Sequence, residues 1–123
     1  MIHLDTSFLI RALDPDSPED RKLRGWIGEG EALGMSTVAW TELLCGPLSP
    51  PEMEWAAEIV GQRRNFTPEH AVIAARLFND SGRRRGSLID CMIGATALAD
   101  GASIATANAA DFRRFATAGL ELA

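Results

Sequence analysis

The sequence predicts an α/β fold: a short parallel sheet with helices on both faces. Three observations carry the prediction. Short β-leaning runs alternate with helical patterns from one end of the chain to the other. The connections between them are brief and rich in Gly, Pro and Ser, as in "PDSP" and "LSPP". Hydrophobic residues make up 46% of the 123 positions, enough for one core, so residues 1–123 read as a single domain.

Residues Met1 to Leu4 form a β-leaning run that stops at Asp5. "TSFLIRALD" offers Thr6 or Ser7 as an N-cap, with Phe8, Leu9 and Ala12 or Leu13 at helical spacing. Ser17-Pro18-Glu19-Asp20 opens a second helix toward Gly28 or Gly30. "ALGMST" reads as the second strand, and "TVAWTELLCGP" as a helix ended by Gly46 and Pro47. "EMEWAAEIVGQ" is a further helix, and "NF" a strand of minimal length. Thr67-Pro68-Glu69 starts the helix "EHAVIAARLFNDSG", with an acid in its first turn. Gly82 to Gly86, with three arginines, is a loop. "SLIDCMIGATALAD" is the next helix, stopped at Gly101. "ASIATA" is a strand, "NAADFRRFATAG" a short helix and "LELA" a closing strand. Right-handed crossovers join strands in such a sheet.

Composition narrows the function. No apolar run approaches the ~20 residues of a membrane span, and the N-terminus lacks the pattern of a signal peptide, so a cytoplasmic protein is expected. Cys45 and Cys91 have no C-x-x-C spacing and no nearby histidine; they read as small buried hydrophobes. His3 and His70 are isolated and read as strand or helix-surface residues rather than ligands. The net charge of −5 argues against nucleic-acid binding by bulk electrostatics. Arginines nevertheless cluster at Arg63–Arg64, Arg83–Arg85 and Arg113–Arg114, while Lys22 is the only lysine.

The acids carry the chemistry. Ligands of parallel sheets bind at the carboxyl ends of the strands, where strand order reverses. Asp5 ends the first strand, and Asn108 and Asp111 follow "ASIATA". Glu42 and Asp90 sit in helices otherwise lined with apolar residues. A helix N-terminus favours the Asp90 carboxylate by ~0.3–1 kcal/mol, whereas burying a charge costs several. Taken singly, each acid could be a cap, a first-turn acid or a solvated side chain. Taken together, carboxylates ~5 Å apart repel by about 3 kcal/mol per pair at an effective dielectric near 20. Such a cluster needs raised pKa values or a cation. Oxygen-only ligands select a hard ion, Mg²⁺ or Mn²⁺, whose chemistry suits phosphodiester hydrolysis.

The blocks "HLDTSFLI", "STVAWTELLCG", "LIDCMIGATALADGASIATANAADFRRF" and "LELA" together resemble PIN-domain proteins, particularly VapC-type toxins of bacterial toxin–antitoxin pairs. The resemblance implies an α/β/α sandwich and a Mg²⁺- or Mn²⁺-dependent endoribonuclease acting on RNA. It implies a homodimer silenced by a cognate VapB-type antitoxin. The family's acidic quartet falls on Asp5, Glu42, Asp90 and Asp111 as catalytic metal ligands, with Asn108 an alternative to Asp111 for the fourth place. Thr6, Ser7, Thr106 and Asn108 fall on supporting positions, and Arg83, Arg84 and Arg85 on a basic loop suited to RNA backbone contact.

Two rivals belong to other classes. Phosphotransfer enzymes with an aspartyl nucleophile, and receiver domains, want an acid two residues after the first aspartate or a phosphate-holding lysine. Here Ser7 stands in the first place, and Lys22 lies in a surface-like helix. The non-enzyme rival is a PIN-like module that only binds RNA or protein. The complete acidic set argues against it, since a scaffold gains nothing from that repulsion.

Overall fold

The computed structural model describes all residues, Met1–Ala123. Its strands are β1 (Ile2–Leu4), β2 (Leu33–Ser36), β3 (Gln62–Arg64) and β4 (Ser103–Ala105). Its helices are α1 (Thr6–Ala12), α2 (Pro18–Gly28), α3 (Thr37–Leu44), α4 (Pro50–Ile59), α5 (Pro68–Asp80), α6 (Leu88–Ala99) and α7 (Ala109–Arg113), followed by a 3₁₀ turn at Ala116–Ala118. The sheet order is β3-β2-β1-β4 and every pairing is parallel. Right-handed crossovers place the connections leaving β1 and β2 on one face and the return through α5 and α6 on the other. This is the expected helix-covered parallel sheet.

Local chemistry fixes the helix starts. Ser17 accepts the Asp20 N–H with Pro18 at the first helical position. Ser49 and Glu52 form a reciprocal capping box for α4, and Thr67 and His70 do the same for α5. The first helix differs from expectation. Its N-cap is Asp5, not Thr6 or Ser7, because both hydroxyl residues are already helical and Asp5 is the last extended residue.

Two strand expectations also shift. The third strand is Gln62–Arg64 rather than Asn65-Phe66. It is an exposed edge strand, so a charged run serves where apolar alternation does not apply. The closing "LELA" contributes only an isolated bridge, Leu122 to Ile104. It ties the C-terminal segment beside β4 without becoming a strand.

Both histidines are buried rather than on the surface. His3, in the middle of β1, points its Nε2 at Asp100 Oδ2, 2.7 Å away, and Arg64 Nε donates to the same oxygen at 3.0 Å. A carboxylate can only accept, so Nε2 carries the proton. Burial lowers the His3 pKa, against the raising effect of Asp100, so the ring is neutral near pH 7. The contact ties β1, β3 and the end of α6 together. Cys91 is buried as expected, but Cys45 is exposed, since it caps α3 beyond the last core-facing turn.

One core surrounds the sheet, with Leu4, Leu9, Met35, Leu43, Ile93 and Ile104 inaccessible to solvent or nearly so. Trp26, in α2, stacks on Phe8 at 5.4 Å and so belongs to this packing. Gly94, midway along α6, lets the C-terminal segment close on the helix: a Cβ there would lie 3.2 Å from Phe115 Cδ2 and 3.5 Å from Leu120 Cδ2. Gly94→Val therefore overpacks this contact and lowers stability by about 1–3 kcal/mol. A urea titration checks it; an unchanged midpoint would mean the segment is loosely seated.

Candidate active site

The strand order places β1 between two neighbours reached by opposite crossovers, so the switch point lies at the carboxyl ends of β1 and β4. Asp5 follows β1 there, and its N–H bonds the Ala105 carbonyl at the end of β4 (2.9 Å). The Asp5 residue is only 6% exposed.

A small hydroxyl network holds its carboxylate. Ser7 Oγ donates to Asp5 Oδ2 at 2.8 Å, and Thr106 Oγ1 donates to the same oxygen at 2.9 Å. Each hydroxyl in turn accepts a backbone N–H: Ala107 onto Ser7 at 3.1 Å, Asn108 onto Thr106 at 3.0 Å. The four bonds fix every proton in the network. They use up Oδ2 and leave Asp5 Oδ1 with no protein donor. Ser7 and Thr106 thus orient the Asp5 carboxylate.

Glu42 arrives on α3. The residue as a whole is exposed, in a helix whose Ala39 and Leu43 are buried, while its carboxyl end turns back toward Thr6. Thr6 donates to the Ala39 carbonyl at 2.8 Å and lies 3.5 Å from Glu42 Oε1. Desolvation of the carboxyl end, then the charge of Asp5, raise the Glu42 pKa, with the Thr6 contact opposing them.

Asp90 is the third residue of α6, in its first turn, with a side chain 28% exposed. Its pKa is pushed up from 3.8 to about 6. Desolvation is the largest cause, followed by the charges of Asp111 and Asp5, with a smaller push from Glu42. Arg114 opposes them through Nη2, 3.5 Å from Asp90 Oδ2. Asp90 therefore senses the charge of every other member of the quartet.

Asp111 lies in the first turn of the short α7, half-buried. Asn108 caps the same helix, but its side chain is exposed and makes no hydrogen bond. Its part in the network is the backbone N–H to Thr106. Of the two candidates for the fourth place, Asp111 is the one whose charge reaches Asp90.

The basic loop precedes α6 at the same end of the molecule. Arg83, at φ 55°, bonds Asn79 and lies over the Phe78 ring at 5.3 Å, so it is engaged with α5. Arg84 and Arg85 are exposed, and Ser87 bonds back to the Arg84 carbonyl at 2.7 Å. Arg114 is the residue that sequence reasoning passed over. The signal was its place three residues after Asp111, one helical turn on.

The donor set suits a hard divalent ion: carboxylate oxygens only, mutually repulsive, with one Asp5 oxygen left free. No three His, Cys, Asp or Glu side chains, the four acids included, stand close enough together to hold a metal ion between them. Mg²⁺ does not need three, since it keeps several waters and takes one or two carboxylates.

No helix is long and apolar enough to cross a membrane. No curated protein matches the chain. Solved structures do match in fold. VapBC2 from Rickettsia felis, bound to a promoter DNA fragment, gives a TM-score of 0.78 at 18% identity, covering 100% of this chain and 98% of that one. FitAcB from Neisseria gonorrhoeae gives 0.73 at 21%, covering 99% and 96%. VapBC-1 from nontypeable Haemophilus influenzae gives 0.73 at 20%, covering 100% and 97%. The family model described as "PIN domain" matches residues 2–118, nearly the whole chain and all four acids. This chain belongs to the PIN domain family.

Proposed function

We propose that the protein is a Mg²⁺- or Mn²⁺-dependent endoribonuclease, the VapC-type toxin of a toxin–antitoxin pair. The observation that carries the reading is Asp5, held by Ser7 and Thr106 at the switch point of the sheet with its second carboxylate oxygen left free, and with three further acids around the same edge. A binding module has no use for mutually repelling acids, while a metal-dependent hydrolase does. The fold neighbours VapBC and FitAcB support a VapB-type antitoxin as partner. A homodimer and a cytoplasmic location belong to the same reading.

Asp5, Glu42, Asp90 and Asp111 would hold the ion. When bound, the ion activates water and offsets charge developing on the phosphate. The chain's own residues do the rest. Ser7 and Thr106 fix the Asp5 carboxylate so that its free oxygen needs no reorganisation. Thr6 steadies the inward end of Glu42. Exposed Arg84 and Arg85 would meet backbone phosphates, which is how an acidic protein can hold RNA locally. The acid-floored groove would also accept a basic antitoxin side chain.

Metal binding should stabilise the fold by linkage. At ten times its Kd, Mn²⁺ adds about 1.4 kcal/mol, seen as a rise in Tm by scanning calorimetry; an unmoved Tm at millimolar Mn²⁺ counts against a shared site.

Asp90→Asn should lower RNA cleavage by on the order of 10²–10³-fold while keeping the fold. Its metal-free stability should separate from wild type with pH. A carboxyl whose pKa is higher folded than unfolded binds its proton more tightly in the fold. Wild type is therefore penalised progressively as pH rises from 3.8 to about 6. The Asn variant should match wild type near pH 4 and exceed it by on the order of 1–2 kcal/mol at pH 7. Urea unfolding at the two pH values reads this, and a constant difference would contradict the charge cluster.

The double variant Arg84→Ala with Arg85→Ala should weaken RNA binding and flatten its salt dependence, by about 0.7 in slope for each phosphate that is no longer neutralised. Filter binding across a salt series measures it; an unchanged slope makes the loop a solvated surface only.

A further inference from the structure

Arg114 stands in the wall between the acid cluster and a cavity of about 350 Å³. Four observations meet on this residue. Its side chain is only 14% exposed, and its guanidinium lies 5.1 Å over the Phe115 ring. Its contact with Asp90 Oδ2 is long for a charge-assisted bond, at 3.5 Å. Its Nε is fully buried and has no partner, a costly state for a charged donor. On its other side the cavity is walled by Arg76, Asp80, Ser81, Leu98 and Thr117, and neither Arg76 nor Asp80 forms an ion pair.

A guanidinium with one long bond and one unused donor is held in place weakly. It is also the cation paired with the acid quartet, since Arg114 makes the sole salt bridge to any of its four members. We infer that Arg114 is a positioning residue for Asp90, the resident counter-charge of the site. It holds the carboxylate in the metal-free protein and yields it to the cation. The inference rests on the metal reading above and adds to it a residue that sets how readily the site loads.

The physical consequence is a competition. A divalent ion approaching Asp90 meets a fixed positive charge and must displace it. Removing that charge favours the ion and disfavours the empty site. A purely structural arginine would behave differently: its loss would lower stability equally with and without metal and leave metal affinity unchanged.

Isothermal titration of the full chain with Mn²⁺ separates these cases. Arg114→Met should bind Mn²⁺ about three- to tenfold more tightly than wild type, with a lower metal-free Tm and a larger Tm rise on adding Mn²⁺. Arg114→Lys, which keeps the charge, should stay near the wild-type affinity. In the wild-type protein itself, the ¹⁵Nε signal of Arg114 should move on addition of diamagnetic Mg²⁺, a readout that needs no variant to fold. An Arg114→Met affinity equal to or weaker than wild type overturns the inference alone, as does an Nε signal indifferent to Mg²⁺. Wild-type protein that takes up no Mn²⁺ at millimolar concentration overturns the metal reading and the inference with it.

Discussion

Carboxylates repel, and this fold brings four of them to one edge of one sheet. Every feature of the site answers that constraint. Two hydroxyls and two backbone N–H groups lock Asp5 from one side. The first turn of α6 offers Asp90 a helix N-terminus, and Arg114 a distant counter-charge. Neither is enough to keep Asp90 at its ordinary acidity. On the proposed reading, that remaining repulsion is what a bound divalent ion would relieve.

The topology makes the convergence possible. A parallel sheet whose order is β3-β2-β1-β4 must run connections in opposite directions from β1, which opens a crevice at its carboxyl end. β1 and β4 supply Asp5 and Thr106 as the residues just beyond their last pairs. The helices starting at that same edge deliver Glu42, Asp90 and Asp111. His3 and Asp100 join β1 to the far end of α6, so the helix that carries Asp90 is anchored at its other terminus.

Much of this was legible in the chain, for reasons that differ by element. Caps are local chemistry, so Ser17 and Thr67 mark helix starts by sequence alone, whereas α4 starts two residues before the expected Glu52, capped by Ser49. The four acids stood out in the sequence because acids inside apolar helices or at strand ends are costly when buried, a cost that the exposed Glu42 largely escapes. Edge strand β3 was misplaced by a few residues, since an exposed strand of Gln and Arg carries no alternation. "LELA" looked like a strand but pairs through a single bridge. The burial of His3 depends on Asp100, 97 residues away, and no local pattern reports such a partner. Arg114 was harder to place for the same reason: its spacing from Asp111 was visible, but its contact with Asp90, 24 residues away, was not.

The central claim is that these side chains share one hard cation. Its most direct test is anomalous diffraction from crystals of the protein grown with Mn²⁺. The account predicts one or two strong peaks within ligand distance of Asp5 and Asp90, at the carboxyl ends of β1 and β4. Ordered density for all four acids with no anomalous peak among them, at saturating Mn²⁺, would contradict it.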